Sequence, residues 1–305
     1  MKSFINLIIF FLITFSAIQA TPTADTLLIK KHLLKITQTP EFRNHKNLPS
    51  LNLTATYIHS LFKQYGDTTY EQVYEAHGQE YRNVITSFGT ENKKRIIVGA
   101  HYDVCGDQEG ADDNASGVVA LLELARMLKG QSLNYRIDLV AYSLEEPPFF
   151  RSEYMGSYIH AQSLAEIKED IFGMISVEMI GYFKDEKKSQ SYPLGLLSLF
   201  YGNKGDYITL VKKFGAGKFA RTFTRRYKAT RAIKTKKFTG PAALPGIDFS
   251  DHLNYWKRGI SALMITDTSF FRNSNYHEPT DTVETLDIGR MAKVIDGLFQ
   301  VLVDI

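Results

Sequence analysis

The stretch IIVGAHYDVCGDQEGADDNASG, residues 96–117, decides how this chain is read. An apolar, β-branched run passes through Gly99 and Ala100 and is followed at once by His101, Asp103, Asp112 and Asp113, then by Asn114-Ala115-Ser116-Gly117. The middle of a buried strand does not tolerate such charge. The space beyond its C-terminal end does, because open α/β sheets bind ligands there. The continuation SGVVALLELARMLKG carries apolar residues at three and four spacing and reads as a helix. Strand, charged loop and helix form one unit of a parallel or mixed sheet.

Reading outward, the alternation persists. Helices ADTLLIKKHLLKIT (24–37) and LNLTATYIHSLFKQYG (51–66) precede strands TTYEQVYEAHG (68–78) and EYRNVITSFG (80–89). After the opening unit come strand YRIDLVAYSLE (135–145), a helix near MGSYIHAQSL (155–164), strand GMISVEMIG (173–181), strand LLSLFYG (196–202) and helix YITLVKKFG (207–215). Helix SDHLNYWKRG (250–259), strand SALMITDT (261–268) and a long helix from Glu284 to Val303 close the chain. The expected fold class is α/β: a three-layer αβα sandwich around a mostly parallel or mixed sheet. No repeat or linker interrupts residues 21–305, so a single domain is expected.

Composition bounds the rest. With 305 residues, 44% hydrophobic and 23% charged, the chain suits one large globular domain. A net charge of +3 is too small to point to nucleic acid. Cys105 is the only cysteine, which excludes an intrachain disulfide. At the N-terminus, Lys2 precedes the apolar run Ile5–Phe15, which ends in SAIQA. That order reads as an export signal over residues 1–20, with a mature chain starting near Thr21 in the periplasm or medium. The alternative is a membrane-spanning helix, but only about ten to fourteen apolar positions run unbroken where a bilayer needs about 20. From Tyr207 to Ile247 there are eleven Lys or Arg and no acid. Such a run reads as a solvated basic face, or as a surface for acidic peptides or anionic envelopes.

Three further strand ends repeat the charged pattern: Glu145 and Glu146 after IDLVAYSL, Glu178 in MISVEMIG, and His277 in SNYHEPTDT after ALMITDT. Two histidines and several carboxylates make the donor set of a borderline divalent metal, of which Zn²⁺ is the commonest. Two such ions about 3.5–4 Å apart share a bridging carboxylate. Asp113 suits that place, with small residues behind it. Asp103 falls on the same strand face as His101 and is expected to hold the other imidazole nitrogen. Asp112 reads as a surface or turn residue, and Cys105 as a buried inert thiol.

The ordered set H-Y-D, G-A-D-D-N-A-S-G, Glu-Glu, E-M-I-G, S-D-H and Y-H resembles the M28 family of zinc aminopeptidases over roughly Arg95 to Leu286. The resemblance implies a zinc-exopeptidase fold with two Zn²⁺ ions per chain. His101, Asp113 and Glu178 would hold one ion, and Asp113, Glu146 and His277 the other. It further implies that Glu145 is the general base, that Tyr276 stabilises the oxyanion, and that the substrate is a peptide trimmed from its N-terminus. Asp251 and His252 are expected near the ligands or the substrate, or else simply at a helix start. Two departures stand out. Glu178 replaces the family's usual aspartate, and PPFFRSEYMGS, with two prolines and two phenylalanines that could wall a specificity pocket, replaces a glycine-rich turn. Glutaminyl cyclases share the fold and most ligands with a single zinc, though they typically lack N-A-S-G. A binding protein that kept the fold without the chemistry is the remaining alternative.

Overall fold

A computed structural model describes residues 21–305. Its centre is one eight-stranded sheet built from β1 (Thr68–Ala76), β2 (Gln79–Phe88), β3 (Arg95–His101), β4 (Arg136–Tyr142), β5 (Ile171–Val177), β6 (Ile208–Lys213), β7 (Thr235–Gly240) and β8 (Ala262–Thr266). The order across the sheet is β1-β2-β4-β3-β5-β8-β6-β7. Strands β4, β3, β5 and β8 run parallel in the middle, β1 and β2 form an antiparallel hairpin at one side, and β6 pairs antiparallel with β8 at the other. The expected mixed α/β sandwich is the one found.

The helices are α1 (Thr26–Thr37), α2 (Leu48–Tyr65), α3 (Gly117–Leu128), α4 (Gly156–Glu166), α5 (Ser198–Tyr201), α6 (Gly217–Thr230), α7 (His252–Lys257) and α8 (Ile288–Asp304). They divide between the two faces because side chains alternate along each central strand. Ile96, Val98 and Ala100 of β3, and Leu263 and Ile265 of β8, enter the core shared with α1, α2, α3, α6 and α8. Ile97, Val140, Met174 and Met264 enter the smaller core beneath α4 and α7. Central strands buried on both faces read as continuous apolar runs, which is why 95–101 was legible.

Residues 1–20, and with them the export signal expected there, lie outside the described residues. Among the described residues no helix is long and apolar enough to cross a membrane.

Three elements differ from expectation. Within residues 207–215 the chain forms strand β6 rather than a helix: Ile208 and Leu210 point into the larger core and Val211 into the smaller one. The apolar spacing at 207, 210 and 211 mimics a helix by coincidence, whereas β-branched Ile208, Thr209 and Val211 favour a strand. Residues 196–202 form a 3₁₀ turn and the short helix α5 instead of a strand, and Leu196, Leu199 and Phe200 are exposed. The last helix starts at Ile288, where the Asp287 side chain caps it by accepting from the Arg290 N–H; Val283–Thr285 ahead of it is a separate 3₁₀ turn. The basic run became α6, β6 and β7, and Lys218, Arg221, Arg225 and Lys228 lie exposed along α6.

Two histidines brace the smaller core in their neutral form. His160 bonds the Tyr255 hydroxyl through Nδ1 at 2.6 Å, and His252 donates to the Ile247 carbonyl through Nε2 at 2.7 Å. Burial lowers each from the ordinary 6.5 to about 4. Both pKa values are depressed, so the unfolded chain takes up these protons first, and the contribution present above pH 6.5 is lost as pH falls toward 4. Thermal unfolding should therefore shift to lower temperature between pH 6.5 and 4, and His160→Gln should flatten part of that slope. An unchanged slope in the variant would contradict this account.

Candidate metal centre

Because β4, β3, β5 and β8 are parallel, their C-terminal ends share one edge. His101 ends β3, Glu145 and Glu146 follow β4, and Glu178 follows β5. His277 sits in the long connection after β8, and Asp113 in the turn Ala111–Ser116 between β3 and α3. Gly110 enters that turn with φ +57°, and a Cβ there would lie 2.2 Å from the Asp113 carbonyl oxygen. Only glycine fits so tight and left-handed an approach.

Asp113 divides its two oxygens between the two histidines. Oδ1 lies 3.4 Å from His101 Nε2, and Oδ2 lies 3.2 Å from His277 Nε2. Glu178 Oε2 is 3.5 Å from His101 Nε2, and Glu146 Oε2 is 3.2 Å from His277 Nε2. Glu145 approaches His101 Nε2 only to 3.9 Å. The neighbouring glutamates lean toward different histidines, yet Glu145, Glu146 and His101 also bring one donor atom each within 4.8 Å of one another. His101, Asp113 and Glu178 gather donor atoms on one side, and Glu146 and His277, joined by Cys105, gather them on the other.

These distances and orphaned atoms suit cations. Donors about 2.0–2.2 Å from a tetrahedral ion stand about 3.3–3.6 Å apart; the histidine–carboxylate spacings are 3.4 and 3.5 Å in the first half and 3.2 Å, slightly tighter, in the second. Asp113 Oδ2, Glu146 Oε1 and His277 Nε2 are buried without hydrogen-bond partners. Without a cation the carboxylates draw protons. Burial, against which the surrounding carboxylates prevail, leaves His101 and His277 above the ordinary imidazole range. Burial, then Asp113, pushes Glu146 up to about 8. Burial holds Glu145 well above the carboxylate range. Asp113 alone in the cluster is held low: burial opposes its charge, but the His101 and His277 imidazoles beside it outweigh burial. A divalent metal replaces those protons, so its affinity falls as pH falls.

Buried polar groups hold the donors in place. The Asp103 carboxylate accepts from the backbone N–H groups of Glu145 (3.2 Å) and Glu146 (3.1 Å), and its Oδ1 lies 3.5 Å from His101 Nδ1. Asp281 accepts from the N–H groups of Asp112 and Asp113. Ser250 donates to Glu178 Oε2 at 2.7 Å. Asn114 ties its amide to the Val177 carbonyl and accepts from the N–H groups of Gly117 and Met179. Buried Arg43 donates to the carbonyls of Tyr102, Glu109 and Gly110, clamping both ends of the loop. Arg43, Asp281 and Ser250 were missed in the sequence. Arg43 lies far back along the chain, while Asp281 and Ser250 are signalled only by their neighbours, in SNYHEPTDT and S-D-H.

Several expectations need correction. Asp112 is fully buried rather than a surface residue: it accepts from Gly181 N–H and Asn273 Nδ2, and burial with the facing Asp267 holds its carboxyl well above the usual range. His252 does not face the cluster; it stacks edge-on to Trp256 and holds the Ile247 carbonyl. Asp251 is buried with both oxygens unpartnered and is pushed up to about 7, by burial first, against the pull of His101. Phe149 packs in the core between His45, His77 and Tyr154, so only Phe150 of the pair reaches the cavity. Cys105 is partly exposed, not buried.

A cavity of about 210 Å³ opens from Glu145, Glu146 and Glu178. Its walls are Phe150, Phe249, Phe270, Ile247, Met264 and Tyr276 among others. The Tyr276 ring stacks on His277 at 3.8 Å, and burial, with Asp113 and Glu146 nearby, raises its hydroxyl pKa. An apolar chamber beside a cluster of acids can take an apolar side chain while the acids face a cationic or reacting group.

Residues 83–302 match the profile of Peptidase family M28. The uncharacterized protein YfbL of Escherichia coli (strain K12) is 40% identical over 97% of this chain and 94% of its own. Leucine aminopeptidase 1 of Metarhizium robertsii is 25% identical, with 88% of this chain and 66% of that protein covered. Among solved structures, the LapA aminopeptidase of Legionella pneumophila superposes with TM-score 0.72 at 19% identity, covering 92% of this chain and 72% of that one. A glutaminyl cyclase of Bacteroides thetaiotaomicron gives 0.70 at 19% identity over 93% and 99%. A Zn-dependent exopeptidase of Parabacteroides distasonis gives 0.69 at 20% identity over 94% and 100%.

Asp103 touches three of the clustered residues, so Asp103→Asn should lower affinity for a divalent metal by about 10–100-fold, the usual cost of losing an outer partner. Calorimetric titration with zinc measures this. Unaltered affinity in a folded variant would remove Asp103 from the site.

Proposed function

The chain belongs to peptidase family M28, and from that premise we propose that it is an exported aminopeptidase using two zinc ions. The observation that carries the reading is the division of Asp113 between His101 and His277, each backed by its own glutamate. His101, Asp113 and Glu178 would hold one ion, and Asp113, Glu146 and His277 the other. When bound, the ions supply Lewis acidity and a water that ionises near neutral pH. Glu145, whose donor oxygen falls within 4.8 Å of those of His101 and Glu146, is assigned to neither set and is free to take the water's proton and return it to the departing amine. Its buried position raises its basicity toward the working pH. Tyr276, at the cavity rim, donates its hydroxyl to the developing oxyanion. Carboxylates near Glu145 and Glu178 receive the peptide's free ammonium, and the aromatic cavity receives a large apolar first side chain. Names of relatives point the same way. Export rests on the basic, apolar and small-residue order of residues 1–20.

Glutaminyl cyclisation is the second reading, favoured by the full-length likeness in fold to a glutaminyl cyclase. Amino-acid p-nitroanilides and an N-terminal glutamine peptide, offered to the same purified protein, separate the two. The aminopeptidase reading expects release of p-nitroaniline, fastest from apolar residues, with two metals per chain by elemental analysis. Cyclisation with one tight metal would replace it. A protein with neither activity and no metal would be the binding protein of the same fold.

The two glutamates should fail differently. Glu145→Gln should keep its metal and lose about 10²–10⁴-fold in turnover, whereas Glu146→Gln should lose affinity for one ion. Glu178→Asp should retain both ions, and Glu178→Ala should lose one. Full activity of Glu145→Gln would overturn the assigned base.

A further inference from the structure

Resting on the two-metal reading, we propose that Cys105 is a protein ligand of the second ion, alongside Glu146 and His277. One donor atom from each of Cys105, Glu146 and His277 lies within 4.8 Å of the others, close enough to converge on one cation. The loop is built to put the thiol there. Asp103, two residues earlier, anchors the Glu145-Glu146 backbone, and the Val104 N–H donates to the Arg43 carbonyl at 3.3 Å while Arg43 binds the flanking carbonyls. Cys105 is only partly exposed, has no second cysteine to pair with, and belongs to neither hydrophobic core.

The independent sign of a missing ligand comes from its neighbours. Glu146 Oε1 is buried and unpartnered, and Asp113 Oδ2 makes no hydrogen bond although His277 Nε2 stands 3.2 Å away, so this half of the cluster is arranged around something that the protein's own donors do not satisfy. Asp113, Glu146 and His277 supply three donors, one short of the four that closed zinc sites use. A thiolate is the soft donor zinc readily accepts. Its charge makes the second ion the weaker Lewis acid and the more firmly held one. An ion at His101, Asp113 and Glu178, a group that includes no thiol, would be left for substrate.

The test uses the intact protein loaded with cobalt(II). Two bound ions with a sulfur-to-cobalt charge-transfer band in the near ultraviolet, lost in Cys105→Ser, are expected. Cys105→Ser should also weaken one of the two ions by at least about 10-fold, no less than the loss of an outer partner costs, and leave the other unchanged. Added zinc should protect the parent thiol from iodoacetamide. Two bound cobalt ions without the band, or Cys105→Ser and Cys105→Ala both binding as tightly as the parent with unchanged urea midpoints, would overturn the assignment while leaving the two-metal reading intact. A parent protein that binds no metal would overturn both.

Discussion

Everything at the C-terminal edge of the sheet depends on keeping four carboxylates, Asp113, Glu145, Glu146 and Glu178, buried within reach of two imidazoles. Carboxylates in such a place cost several kcal/mol each unless neutralised by a partner. The protein meets that cost by fixing backbone rather than by adding side-chain cations. Asp103 and Asp281 spend their charge on main-chain N–H groups at 3.0–3.2 Å, and those bonds aim the neighbouring acids. Arg43 is a guanidinium close by, and it faces carbonyls, not the cluster; burial lowers its pKa to about 10. The cluster is left short of positive charge, the condition that selects a metal ion.

The sheet supplies the geometry. Parallel central strands place their last residues in one row, so His101, the Glu pair and Glu178 meet without long-range folding of loops. His277 is the exception, delivered by the connection after β8 and fixed by stacking against Tyr276. That same connection carries Phe270 into the cavity wall. Recognition of a side chain and completion of the metal set are therefore functions of one segment.

Much of this could be read from residues. His101, Asp113, Glu145, Glu146, Glu178 and His277 all lie beyond apolar runs, and a run buried on both faces announces its own end. What escaped was whatever lacked a local signature. The segment 207–215 that contains β6 imitates a helix, because Tyr207, Leu210 and Val211 fall at helical spacing though Leu210 and Val211 enter opposite cores. Asp112 looked like a turn residue because burial of a carboxyl depends on Gly181, Asn273 and Asp267, which are far away in the chain. Arg43 gives no hint at all in its own neighbourhood of the loop it clamps.

The basic run, so conspicuous in the sequence, acquires a plainer meaning from β7. That strand is the last in the sheet and pairs on one side only, with β6, so its outer backbone groups could accept a strand from another molecule. Lys234, at its entrance, pairs with Asp206, Lys237 is exposed, and Lys236 lies over Tyr207. Charged side chains with strongly held water guard such an edge, since an incoming strand would have to dehydrate them. Part of the positive charge between Tyr207 and Ile247 thus serves to keep an open sheet from growing by one molecule at a time.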